Sequence, residues 1–299
     1  MKKLTLIVLL AAGITSTGAI AAPGDPFSFS TGTPDGRMAA ASRVDSPGKF
    51  EIEAADDFIA STSLNITSAT FTGLLPTGAS IGQVQVEIYR VFPKDSDVSR
   101  TSGPPTFSTS QVPTRVNSPS DVAFDTRNSL SGGGLTFSTT LLNASFTAAN
   151  SISAGGIHPK PGQTTGGNGP VTGQEVQFNI SFTTPFTLPI DHYFFVPQVE
   201  LPGANDNFFW LSVPRPIVPP GTPFPAGFTD LQAWTRDANL DPDWLREGTD
   251  IVGGGPPAPT FNQAFSLNGT VPDSGSTALL LGSALTTVFY FRRRLSSLK

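Results

Sequence analysis

The chain has 299 residues, 14% of them charged, with 18 Lys+Arg against 23 Asp+Glu and no cysteine. So few charges exclude a coiled coil or a charge-rich helical bundle, which draw far more heavily on Lys and Glu. The missing cysteine excludes disulfide staples, thiolate-bound metals and a thiol nucleophile.

The N-terminus is a targeting segment. Lys2 and Lys3 precede an apolar run from Leu4 to Ala12, and Ala19-Ile20-Ala21 places small residues where a signal peptidase reads. This is the three-part order of a secretory signal, with an apolar run too short for an ordinary span. Residues 1–21 are therefore expected to be removed after Ala21, since cutting after Ala22 would leave Pro23 first.

Residues 22–269 read as one all-β unit. Strands are expected at Phe27–Thr31, Phe50–Ala54 and Leu64–Thr72, then at Val84–Phe92, where Val84, Val86 and Ile88 alternate with Gln83, Gln85 and Glu87. Further strands follow at Val122–Thr126 and Leu135–Leu141. At Val176–Phe182, Val176, Phe178, Ile180 and Phe182 alternate with Gln177, Asn179 and Ser181. The last four are Tyr193–Glu200, Phe208–Val213, Leu231–Arg236 and Phe261–Leu267. Strict alternation means one buried and one wet face, as in antiparallel sheets. Short helical turns are expected near Thr147–Ser151 and Asp241–Arg246. No segment keeps an apolar period of 3.6 over three turns, and no fixed repeat points to a propeller or solenoid. That many short strands predict an antiparallel two-sheet sandwich of jelly-roll type. Phe, at 23 of the aromatics, suits a thick core between sheets.

Candidate chemistry is sparse. Gly78-Ala79-Ser80-Ile81-Gly82 matches the nucleophile-elbow pattern, but a strand rather than a helix follows, so the segment reads as a turn. Only His158 and His192 exist to serve as a base, and His192 has Asp191 as its one recognisable neighbour. Glu51, Glu53, Asp56, Asp57, Glu87 and Glu175 could supply a glycosidase carboxylate pair, although wet-face acids need no such role. Structural calcium has candidates in Asp237, Asp241 and Asp243, among other loop acids at Asp56-Asp57, Asp95 to Asp97 and Asn205 to Asn207; solvated turn acids are the commoner outcome. Beyond that, no cofactor is expected. Trp244, in Asp-Pro-Asp-Trp-Leu-Arg, is the ring expected to be most exposed, and with Trp234 it could contact a sugar, although core packing is the commoner use of such rings. No catalytic residue is assigned, and a non-catalytic role is expected.

At the C-terminus, Val271-Pro272-Asp273-Ser274-Gly275 precedes an apolar stretch to Phe291 and then Arg292, Arg293 and Arg294. Residues 270–275 form a short linker and motif, 276–294 a transmembrane helix with a basic stop, and 295–299 a cytoplasmic tail. As a helix the apolar part spans about 24 Å at 1.5 Å per residue, workable in a bilayer with arginine snorkelling. The arginines belong on the cytoplasmic side. The order resembles the PEP-CTERM class of bacterial sorting signals, in the variant whose motif is Val-Pro-Asp-Ser-Gly. That resemblance implies an exosortase partner, a membrane-embedded cysteine transpeptidase, and a membrane-tethered precursor delivered to the cell surface or extracellular matrix. It also implies a role beside exopolysaccharide. A carbohydrate-binding module and a secreted glycoside or ester hydrolase are the alternatives.

The two ends carry six of the bases and none of the acids, so 22–273 hold 12 bases and 23 acids, a formal charge of −11. Nucleic-acid binding by phosphate neutralisation is excluded at that charge.

Overall fold

The computed structural model describes residues 24–99, 114–157, 164–203 and 206–272. Ala19, Ala21, His158, Asp273, Ser274, Gly275 and the stop Arg292, Arg293 and Arg294 lie outside these, as does the expected transmembrane helix. Among the described residues no helix is long and apolar enough to cross a membrane.

In chain order the described strands are β1 (Pro26–Ser30), β2 (Met38–Ala41), β3 (Ile52–Ala60), β4 (Leu64–Leu75), β5 (Val84–Arg90), β6 (Asp125–Asn128), β7 (Leu135–Ala148) and β8 (Asn150–Ile152). They continue with β9 (Val171–Leu188), β10 (Asp191–Val199), β11 (Phe209–Val213), β12 (Trp234–Asp237), β13 (Leu245–Arg246), β14 (Asn262–Gln263) and β15 (Phe265–Thr270). One sheet runs β1-β15-β4-β11-β2-β8, with β9 pairing the other side of β4 and β7 completing that wing. The second runs β13-β12-β3-β10-β5-β6. The pairings are antiparallel except β2 with β8, which is parallel and departs from the expected all-antiparallel sheets.

The period-2 pattern decides which face goes inward. Val84, Val86 and Ile88 are at most 1% exposed, while Gln85 and Glu87 between them stay half-buried. Val176, Phe178, Ile180 and Phe182 likewise line the core. Phenylalanines bridge the layers: Phe195 of the second sheet stacks on Phe265 of the first at 5.0 Å and meets Phe71 at 6.5 Å. Phe208 packs edge-on against Phe71 and Phe178 at 5.5 and 5.4 Å, and it lies over Gly73, where a Cβ would fall 2.2 Å from its ring.

Over β1, β15, β4, β9 and β7 the opposite face of the first sheet is polar and ordered in rows, and toward β11 and β2 it gives way to an apolar cluster of Ala39, Leu74, Ala148 and Leu211. Ser28, Asn268, Ser68, Ser181 and Thr136 stand side by side across β1, β15, β4, β9 and β7. Two residues along, Ser30, Ser266, Thr70, Asn179 and Ser138 form the next row. Thr72, Gln177 and Thr140 form a third across β4, β9 and β7.

Several expectations are corrected. Thr147–Ser151 is not helical: β7 runs through Thr147, and Ser151 pairs with Ala39 in β8. Asp241–Arg246 ends as strand β13, because Leu245 and Arg246 find partners on β12, and a single wide helical turn follows at Glu247–Val252. The strand expected at Val122–Thr126 lies at Asp125–Asn128. β2, buried on both faces, shows no alternation and was not legible.

Candidate functional site

The outer face of the second sheet gathers the acids. Along β3, Glu53, Ala55 and Asp57 point away from the core that Ala54 and Phe58 enter. On β5 the same face carries Glu87 and Tyr89, on β10 His192, Phe194, Val196 and Gln198, and on β12 Trp234 and Arg236. Register sets Arg236 directly opposite Glu53 and Val196 opposite Glu87.

Four of these groups converge. Arg236 donates from Nε to Glu53 and from Nη2 to the Tyr89 hydroxyl at 2.9 Å. Tyr89 Oη lies 2.7 Å from Glu53 Oε1 and 2.9 Å from Glu87 Oε2. The phenol has one proton and two lone pairs. While it accepts from Arg236, the hydroxyl can donate its one proton to only one of the two carboxyls at a time. Burial, reinforced by the Glu53 charge, pushes Glu87 up to about 8. The chain of bonds continues outward: Gln85 Nε2 donates to Glu87 at 3.2 Å and to Gln198 at 2.9 Å, and Gln198 donates to Glu51 at 2.7 Å. Burial and the Glu53 charge also raise Glu51.

Trp244 closes the cluster. Its ring covers the Arg236 guanidinium at 4.3 Å and meets Tyr89 edge-on at 5.4 Å, while Nε1 donates to Ser120 O at 3.1 Å. It is 1% exposed and Trp234 2%, so neither offers the open ring face that a sugar contact requires. The loop segment carrying Trp244 folds back over the sheet, and the apolar cover formed with Leu231, Phe194 and Val196 buries the ring that its loop position suggested would be exposed.

The other candidates are engaged as well. Asp237 Oδ1 accepts the N–H groups of Asn239 and Leu240 at 2.9 and 3.1 Å; Asp241 pairs with Arg236 Nη1 at 2.8 Å, and Asp243 with Arg115 Nε at 3.3 Å. These carboxylates cap a turn and neutralise arginines instead of converging on a cation. Among the described residues no group of three or more His, Asp or Glu is placed to hold a metal ion. Ser80 is exposed in the turn between β4 and β5. His192 has a partner beyond Asp191: its Nε2 lies 2.5 Å from Asp57 Oδ2, which also accepts the Leu231 N–H at 3.1 Å. Burial raises Asp57 to about 6 against the opposing pull of His192. Asp56, one residue along, faces the opposite side, accepts the Gln263 N–H at 2.8 Å, and is pushed well up by burial. Glu175 stands on β9 in the other sheet, apart from the cluster.

Sequence reasoning named Glu51, Glu53 and Glu87 but missed Arg236 and Tyr89, which bind them together. A lone arginine in the apolar run Leu231–Arg236 was the available signal, since a buried arginine needs a carboxylate. As an acid pair the cluster is inward-looking. The Tyr89 hydroxyl bridges Glu53 and Glu87 at 2.7 and 2.9 Å, so the two carboxyls meet a buried phenol and leave no space between them for the sugar that a glycosidase pair flanks.

A two-sheet all-β unit thus precedes a short C-terminal stretch of different character. Residues 270–295 match the family model of the VPDSG-CTERM motif, and that segment is a PEP-CTERM-type sorting signal. The motif marks an exported protein handled by an exosortase-type enzyme. No curated protein and no solved structure matches the chain.

Proposed function

We propose that this is a non-catalytic protein of the cell envelope or extracellular matrix, tethered to the membrane until an exosortase processes its tail, and associated with exopolysaccharide once released. The observation that carries the reading is the sorting motif at 270–295. In support of the non-catalytic role, the acids best placed for chemistry are engaged by Arg236 and Tyr89. The jelly-roll arrangement of the two sheets, signal-peptidase cleavage after Ala21 and membrane insertion of 276–294 belong to the same proposal. Incubation of the full chain with panels of polysaccharides and esters, with and without calcium, tests it. The expected result is no turnover. Turnover abolished by Glu87→Gln or Ser80→Ala would replace the reading with a hydrolase.

A further inference from the structure

We propose that the outer face of the first sheet, from β1 across β15, β4 and β9 to β7, is a docking surface for an uncharged polysaccharide. This rests on the exopolysaccharide reading above and adds to it the face and the chemistry of the polymer. The three rows on that face consist only of Ser, Thr, Asn and Gln. Each such side chain both donates and accepts hydrogen bonds, as a sugar hydroxyl does.

The charge distribution selects the polymer. The exported part of the chain holds 12 bases and 23 acids, yet the three rows contain none of them. An acidic polymer finds no cation there, and the nearest carboxylate, Glu175, stands one row beyond Gln177 at the end of the grid. Wet faces of sheets usually mix Lys and Glu among Thr and Ser, which keeps them soluble and unpaired. Neighbouring strands lie about 4.8 Å apart and alternate residues about 6.7 Å apart, so the rows make a regular grid. A repeating grid suits a repeating ligand, since each added unit meets the same groups.

The face is also shaped and partly fixed. A groove of about 270 Å³ opens on one end of it, between the Gly32–Pro34 loop and Ser30, Thr70, Thr72, Gln177 and Ser266, with Leu142 on its flank. That is close to the lower end of small-molecule pockets, about 300 Å³. Leu142, 49% exposed, offers apolar surface to the C–H groups of a sugar ring. Thr70 and Ser266 hydroxyls bond at 2.7 Å, and Asn179 donates to Thr140 at 3.1 Å, so these side chains are held in place before a ligand arrives.

Co-sedimentation of the full chain with cellulose, an insoluble β-1,3-glucan and a galactomannan, with alginate as the acidic counterpart, tests the proposal. Ser138→Lys and Asn179→Lys place a charge on the face; Ser61→Lys, in the exposed turn between β3 and β4, is the control, and thermal unfolding checks that all three remain folded. The expected result is binding to a neutral polymer by wild type and control, weakened at least tenfold in both face variants. Binding retained by the face variants overturns the assignment of the face and leaves the exopolysaccharide reading standing. Binding to alginate alone overturns the neutral chemistry. No binding to any polymer by wild type overturns both readings. Self-association lost in the face variants, without polymer binding, gives the face to a second copy of the chain and overturns the proposal.

Discussion

Arg236 on β12 and Glu53 on β3 stand directly opposite each other, and the guanidinium donates into the carboxylate beneath the ring of Trp244. The two residues lie 183 positions apart in the chain, and neither is more than 5% exposed. Burying both charges costs solvation, and the pair survives because Tyr89, Pro242 O and Asp121 O complete the donor and acceptor sets.

Arg236→Met is therefore expected to cost about 3–5 kcal/mol, because it leaves Glu53 charged and unpaired in a covered site. The double variant Arg236→Met with Glu53→Leu should recover most of that loss. Urea denaturation of the four proteins measures the coupling.

Glu87 sets a pH dependence. It keeps its proton in the folded protein up to about 8, against an ordinary value of 4.5. Between those values the folded state holds the extra proton, so stability falls as pH rises from 4.5 to 8, by at most about 1.4 kcal/mol per unit. Glu87→Gln mimics the protonated acid. The variant should be more stable than wild type at pH 8 and show a flatter profile of melting temperature from pH 5 to 8. Asp56 and Glu247, both raised by burial, leave a residual slope of the same sign.

Gly73→Ala should destabilise by about 1–3 kcal/mol through overpacking. The new methyl would meet Phe208 at 2.2 Å and Phe209 O at 2.5 Å, and Phe208 is wedged between Phe71 and Phe178. A thermal melt equal to wild type would show that Phe208 can move aside.

The two faces of β9 should respond in opposite ways. Phe178→Asp puts an unpaired charge among Phe71, Phe137 and Phe208 and is expected to prevent folding. Asn179→Asp, on the wet face, should change stability by no more than about 0.5 kcal/mol. Circular dichroism and urea midpoints separate them.

Processing has its own test. Intact mass of the protein from native surface material should correspond to a chain lacking Thr277–Lys299. A mature species that retains Phe291 and the arginines would mean that the tail is a plain anchor.

The C-terminal motif and the alternation of strands such as β5 and β9 could be read directly from the chain. A sorting enzyme acts on a linear segment, and a strand with one dry and one wet face writes its period of two into neighbouring residues. Trp244 could not be read that way. It sits in a loop segment, and its burial depends on Arg236 and on Tyr89 and Ser120 from distant parts of the chain. His192 and Asp57 are 135 residues apart, and the serine and threonine rows draw on five strands from both ends of the unit. Local pattern tells each strand which side faces water. Which residues then stand beside one another depends on register and strand order, set by packing between segments far apart in sequence.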